Sequence, residues 1–165
     1  MAEQIPIERL QPCLLDRLTD DEPERQEEGR AQRVISLQKY RRGVLRDLEW
    51  LFNAYAWLKF EDGTSALDDY PEAMRSIINF GTRQLCGLTA PNMERLREEL
   101  AEALRVFEPR LNAHNLTIHA DLERNLITFD VEGELWANPL PEHLHLKTTV
   151  DLETGQCLLG DSPHG

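Results

Sequence analysis

Two stretches of the chain repeat apolar residues at intervals of three and four, the spacing that places side chains on one face of an α-helix. The first helix is predicted from Ser36, whose side chain suits an N-cap, to about Tyr55. Its apolar positions are Leu37, Tyr40, Val44, Leu48, Leu51 and Tyr55. The opposite face carries charged residues, so the helix is expected to lie on the surface of a core.

A second amphipathic helix is predicted to begin near Thr89 and Pro91, which are typical start signals, and to end at Phe107. Its apolar positions are Met93, Leu96, Leu100, Leu104 and Phe107. Between the two helices, a shorter one is predicted from Pro71 to Asn79, and Gly81 follows where a helix end tolerates the left-handed conformation.

After Arg110 the apolar period changes to two, which is typical of half-buried strands. Four strands are predicted, at Leu116–Ala120, Leu126–Glu132, Leu144–Val150 and Gln156–Leu159. Arg124-Asn125 and Glu153-Thr154-Gly155 supply turns. Helices first and strands last predict an α+β fold, in which about three N-terminal helices pack on a small C-terminal antiparallel or mixed sheet.

The first 35 residues are expected to form a flexible segment, because charged residues, Pro23 and Gly29 dominate Thr19 to Arg33. Within this segment, residues 12–18 form a short apolar island that includes Leu14 and Leu15. Such an island either docks on a partner or folds back onto its own domain. Residues 36–160 are predicted to form the single folded domain.

Glu108-Pro109-Arg110 follows the second helix directly. Pro109 has no backbone N–H and moves Glu108 out of the helical region, so the helix should stop here. A carboxylate near the negative end of the helix dipole is unfavourable, which indicates a specific cationic partner for Glu108. That partner is either Arg110 or an arginine from another segment, and the alternative is a solvated Glu108 without a partner.

Arg42 and Arg46 are four residues apart and therefore adjacent on the first helix. They belong to the most concentrated basic feature of an acidic chain. Such a pair is usually a solvated surface, but it is also a candidate contact for Glu108 or for an acidic partner.

The net charge of −12 argues against binding to nucleic acid or to an anionic membrane surface. Three widely spaced cysteines fit a reducing compartment, and no run has membrane-spanning length, so a cytoplasmic location is expected. No phosphate loop or nucleophile motif is present, and His143 and His145 lack a third ligand at a recognisable spacing. Neither a cofactor nor a metal is predicted.

Four stretches, in consistent order, resemble the TssE family, the type VI secretion baseplate subunits related to the wedge proteins of contractile-tail phages. They are Pro12 with Leu14-Leu15-Asp16-Arg17-Leu18, Tyr40 with Val44 to Asn53, Ser76 to Gly81, and Phe107-Glu108-Pro109-Arg110. Thr148-Thr149-Val150-Asp151-Leu152 also looks like the end of that family, and the resemblance runs from about Pro12 to Leu159. Cys13 departs from the small hydroxyl residue expected there.

The resemblance implies a non-enzymatic structural subunit in the baseplate wedge beside TssF and TssG, near TssK. It also implies that strands of the C-terminal sheet help to start polymerisation of the TssB–TssC sheath. Leu144–Val150, which includes Leu146, Thr148 and Val150, and Gln156–Leu159 are the candidate edges for strand addition. The Glu108-Pro109-Arg110 motif is expected to contact the wedge core.

The alternative is a lysozyme-like peptidoglycan hydrolase, a label that the wedge family has often carried. It would use Glu108 as the general acid, which requires a raised pKa and a second carboxylate beside an open cleft. The two readings predict different surroundings for Glu108: an arginine partner in the first, a desolvated pocket in the second.

Overall fold

The computed structural model describes residues 10, 13–19, 24, 35–56, 67–82, 92–137 and 141–161. The helices are α1 (Leu14–Leu18), α2 (Leu37–Asn53), α3 (Pro71–Met74) and α4 (Met93–Phe107), with a 3₁₀-helix at Ile77–Asn79. The strands are β1 (Thr117–Glu123), β2 (Leu126–Leu135), β3 (Glu142–Asp151) and β4 (Cys157–Asp161). Helices thus precede a C-terminal sheet, and the predicted α+β class is confirmed.

The two long helices begin at side-chain caps and bury the faces that their apolar spacing predicts. Ser36 caps α2 by accepting a hydrogen bond from the backbone N–H of Lys39. Asn92 caps α4 by accepting one from Arg95, while the predicted start signals Thr89 and Pro91 lie outside the described residues. The buried positions are Tyr40, Gly43, Val44, Leu48, Leu51 and Phe52 in α2 and Leu96, Leu100 and Leu104 in α4.

The predicted helix from Pro71 to Asn79 is wrong in its extent, because α3 ends at Met74. Ser76 interrupts the helix: its hydroxyl donates to the carbonyl of Ala73 and accepts from the N–H of Ile78, which begins the separate 3₁₀ turn. Gly81 follows with a φ of +133°. An added Cβ there would lie 2.2 Å from the carbonyl oxygen of Ala54, so the close approach of these two segments requires glycine.

The sheet is fully antiparallel, with the order β1-β2-β3-β4. Arg124-Asn125 forms the predicted two-residue turn between β1 and β2, and Arg124 has a φ of 54°. Burial alternates along β2 and β3, which gives the sheet one core face and one more exposed face. The core joins that inner face to the buried faces of α2 and α4.

Leu10 and Ile35 are both buried and form an isolated antiparallel bridge. The folded unit therefore includes residues from the segment that was predicted to be flexible, and the boundary at Ser36 is corrected in this respect. Most of Thr19 to Arg33, the predicted linker, lies outside the described residues, as does Pro12 of the apolar island.

Candidate functional site

The Glu108-Pro109-Arg110 segment turns the chain at the end of α4. Glu108 is the C-cap residue, and its side chain is only 3% exposed. Nε of Arg110 donates to Oε1 of Glu108 at 2.6 Å and Nη2 donates to Oε2 at 2.5 Å, while the backbone N–H of Arg110 also donates to Oε1. The predicted cationic partner of Glu108 is therefore Arg110, and the pairing is bidentate.

The guanidinium group of Arg110 also contacts a residue in the middle of α2. Its Nη2 lies 2.7 Å from Oδ2 of Asp47, and Oδ1 of the same carboxylate accepts two hydrogen bonds from Arg46. Arg46 in turn places Nη1 2.6 Å from Oδ1 of Asp16 in α1. We call Asp16, Arg46, Asp47, Arg110 and Glu108 the ion-pair chain, because acids and bases alternate along it.

The ion-pair chain holds its arginines in the charged state. Burial by itself lowers the pKa of Arg110, but hydrogen bonds and the charges of Glu108 and Asp47 raise that pKa above its ordinary value. Burial also lowers the pKa of Arg46, and Asp16, Asp47 and Cys13 more than offset it. With three carboxylates against two guanidinium groups, the chain joins α1, α2 and the end of α4 by charge-assisted hydrogen bonds.

Arg46 and Arg42 have separate environments, although they are one turn apart on α2. Arg46 is occupied by Asp16 and Asp47, and its guanidinium carbon lies 5.2 Å from the centre of the Trp50 ring. It does not pair with Glu108, so the predicted internal contact between these two residues is wrong. Arg42 is exposed and remains a candidate for contact with an acidic partner.

The apolar island forms α1, and polar contacts attach it to α2. Cys13 is its N-cap: the sulfur accepts from the N–H of Asp16, and the thiol donates to Oδ2 of Asp16 at 3.0 Å. Gly43 leaves room for this carboxylate, since an added Cβ would lie 3.2 Å from Oδ2. The apolar residues instead face solvent, with Leu14 70% exposed and Leu15 39% exposed.

β3 is an internal strand, paired with β2 on one side and β4 on the other. The predicted free edge at Leu144–Val150 is therefore wrong. Leu146 and Val150 point into the core, and the hydroxyl of Thr148, 1% exposed, lies 2.7 Å from the sulfur of Cys157. A strand added to this sheet cannot pair with these three residues, because both sides of β3 already hold hydrogen-bonded neighbours there.

β4 is an edge strand, as predicted, but Asn53 covers part of it. The side-chain oxygen of Asn53 accepts from the N–H of Cys157 at 3.1 Å, and its Nδ2 donates to the carbonyl of Cys157 at 3.2 Å. Sequence reasoning missed this role of Asn53, and it missed Asp16 and Asp47 as the partners that occupy Arg46. Only the proximity of Asp47 to Arg46 in the sequence pointed to one of these contacts.

The histidines of the sheet do not assemble a metal centre among the residues that the structure describes. His145 lies with Nε2 2.5 Å from Oδ1 of Asp130 on the neighbouring strand, which is a pair rather than a ligand cluster. In the same described ranges, no helix has the length and apolar character needed to span a bilayer.

One family model, described as baseplate wedge protein gp25, matches residues 38–140, which is more than half of the chain. The matched range contains α2 except its first residue, all of α4, β1 and β2, and the Glu108-Pro109-Arg110 segment. No curated protein and no solved structure shows significant similarity to the chain.

Proposed function

The chain belongs to the baseplate wedge protein gp25 family, and from that membership we propose that it is the TssE-type subunit of a type VI secretion baseplate. The family match makes it a structural baseplate protein of a phage-tail-like machine. The finer assignment rests on the four resembling stretches, which include the segment around Glu108 and the one that ends at Gly81.

In this proposal the protein works in the cytoplasm and joins the wedge to the contractile sheath. TssF and TssG are its wedge neighbours, TssK lies near them, and the TssB–TssC sheath begins to polymerise on its sheet by strand addition. An antiparallel sheet that ends in edge strands supports this role, because an edge offers unpaired backbone groups to an incoming strand.

The ion-pair chain supports a structural function for the Glu108 segment. Glu108 is buried and fully engaged by Arg110, so only Pro109, which is exposed, and the accessible part of Arg110 can meet the wedge core directly. Three other residues predicted to contact partners are exposed: Arg42, Leu14 and Leu15. These three lie on α1 and α2, next to the ion-pair chain.

The geometry does not favour the hydrolase alternative. A general acid must reach its substrate through a free oxygen, whereas both oxygens of Glu108 accept hydrogen bonds from Arg110. The side chain is also almost fully buried. An assay of purified protein on peptidoglycan is the direct test, and turnover that is lost in Glu108→Gln would revive this alternative.

Co-expression of this chain with TssF and TssG, followed by co-purification, tests the proposal. The wild type is expected to co-purify with both subunits. Arg42→Glu reverses an exposed charge outside the ion-pair chain and is expected to weaken the complex without altering the thermal melt. Arg97→Glu, on the exposed face of α4, is the matched control. If the wild type never associates with the wedge subunits or with TssB–TssC, the assignment fails.

A further inference from the structure

The two outer edges of the sheet differ in how many backbone groups are open. In an antiparallel strand, the N–H and C=O of one residue point to the same side, and the side alternates along the chain. The backbone N–H of Asp151 donates to the carbonyl of Gln156, so the hydrogen-bonded pairs with β3 continue at Leu158 and Gly160. The outward residues of β4 are therefore Cys157, Leu159 and Asp161. Asn53 already binds both backbone groups of Cys157, so this edge is closed where it passes α2.

On β1 the outward residues are Ile118, Ala120 and Leu122. The two-residue turn makes Glu123 and Leu126 a hydrogen-bonded pair. Because the direction alternates along the strand, the backbone groups of Asp121, His119 and Thr117 also point toward β2. Across the described ranges, the outward N–H and C=O groups of Ile118, Ala120 and Leu122 make no hydrogen bond. β1 thus offers the outward backbone groups of three residues. On β4 only Leu159 and Asp161 remain, because Asn53 binds Cys157.

The side chains of β1 specify what an added strand would carry. Ile118 is buried, Ala120 is partly buried and Leu122 is 42% exposed, so the core-facing side of β1 ends in an accessible apolar position. The other side carries His119, Asp121 and Glu123, all exposed. Cross-strand neighbours of opposite charge stabilise a sheet, and like charges destabilise it.

We propose that the outer edge of β1 is the strand-addition site of this protein and that it takes an extended segment in which apolar and basic residues alternate. Asn53 is a positioning residue that closes the competing edge at Cys157. This inference rests on the proposed function, in which strand addition begins sheath assembly, and adds which edge is used and the chemistry of the added strand. A second copy of this chain is disfavoured as the occupant, because each copy carries a net charge of −12.

Backbone hydrogen exchange, measured residue by residue by NMR on the full chain, tests the proposal. The probe is a capped peptide of seven residues, the length of β1, in which valine and lysine alternate. At saturation it is expected to slow exchange at Ile118, Ala120 and Leu122 by about tenfold or more, and to leave Leu159 unchanged. A peptide in which valine and glutamate alternate is the control and is expected to have no effect.

Two variants at one position separate backbone pairing from side-chain contact. Ala120→Pro removes the outward N–H of β1, which edge strands tolerate, and is expected to abolish the slowing at Ile118 and Leu122. Ala120→Val keeps the N–H and should retain the slowing at Ile118 and Leu122. Asn53→Ala is expected to add slowing at Leu159, since it frees the edge at Cys157. If Ala120→Pro does not fold, the exchange pattern of the wild type decides alone.

Slowing at Leu159 of the wild type, slowing nowhere, or an equal response to the glutamate peptide would overturn the proposal. So would β1 amides that become protected as protein concentration rises without peptide, because a second copy would then occupy the edge. Co-purification of TssB–TssC with the wild type and with Ala120→Pro is a test that does not depend on these results. If TssB–TssC binds the wild type and Ala120→Pro equally, the edge inference fails and the proposed function stands. If the peptide protects β1 and TssB–TssC never binds, the edge inference stands and the proposed function fails.

Discussion

Nη2 of Arg110 and Oδ2 of Asp47 lie 2.7 Å apart, although 63 residues separate them in the chain. This contact ties the residue just beyond α4 to the middle of α2. Arg110 reaches Asp47 while it also holds Glu108, so the two long helices share one charged junction at the surface of the core.

Replacing Arg110 with alanine leaves the buried carboxylate of Glu108 without its cation. Removing one partner of a buried ion pair strands a desolvated charge, so the free energy of unfolding should fall by about 3 kcal/mol. Urea denaturation monitored by circular dichroism measures this loss. Arg97→Ala breaks an exposed pair with Glu94 and should cost less than about 1 kcal/mol. Equal losses in the two variants would show that the Glu108 pair is not buried in solution.

Acidification below the ordinary pKa of an aspartate should weaken the attachment of α1. Desolvation alone would raise the pKa of Asp16, but hydrogen bonds from Cys13 and Arg46 and the charge of Arg46 hold that pKa below its ordinary value of 3.8. A carboxyl whose pKa is lowered by folding stabilises the fold above its ordinary pKa, and this contribution is lost as the pH falls through the lower folded value.

The difference in unfolding free energy between the wild type and Asp16→Asn should therefore be largest near neutral pH and should shrink below pH 3.8. Urea titrations at a series of pH values measure this difference. A difference that stays constant through the acid range would mean that the charge of Asp16 does not contribute to stability.

Gly43→Ala should stabilise the protein by less than the replacement of a helix-interior glycine with alanine normally does. Alanine in place of glycine inside a helix stabilises it by about 1 kcal/mol, but here the new Cβ would lie 3.2 Å from Oδ2 of Asp16 and push α1 away. In an Asp16→Ala background the full gain should return. A double-mutant cycle of urea denaturations measures this coupling, and additive effects would show that Gly43 does not serve the docking of α1.

Gly81→Ala should destabilise the protein by about 3 kcal/mol or more, because the backbone conformation is strained for other residues and the new Cβ would overlap the Ala54 carbonyl. Gly160→Ala is the matched control. Its Cβ would meet the nearest atom, the carbonyl oxygen of Lys147, at 3.4 Å, so little change is expected. Thermal melts of both variants provide the comparison. A tolerated Gly81→Ala would mean that this crossing of segments is looser than the structure shows.

Local patterns were enough to predict most of the elements. The three- and four-residue spacing in α2 and α4, the alternation in the four strands and the Arg124-Asn125 turn all reflect interactions between residues close in sequence. Pro109 likewise stops α4 through its own ring. The short helix after Pro71 was overextended, since a side-chain hydroxyl at Ser76 competed with the helical backbone.

The amino-acid sequence by itself determined the α+β class, the positions of the long helices and strands, and the unfavourable place of the Glu108 carboxylate at the end of a helix dipole, because periodicity, proline and the helix dipole act locally. Only the tertiary structure decided that β3 is internal, that Arg46 serves Asp16 and Asp47, and that Asn53 closes one edge of the sheet. Each of these depends on which distant segments meet. Strand order and long-range ion pairs follow from the packing of the whole core, which no short stretch of sequence encodes.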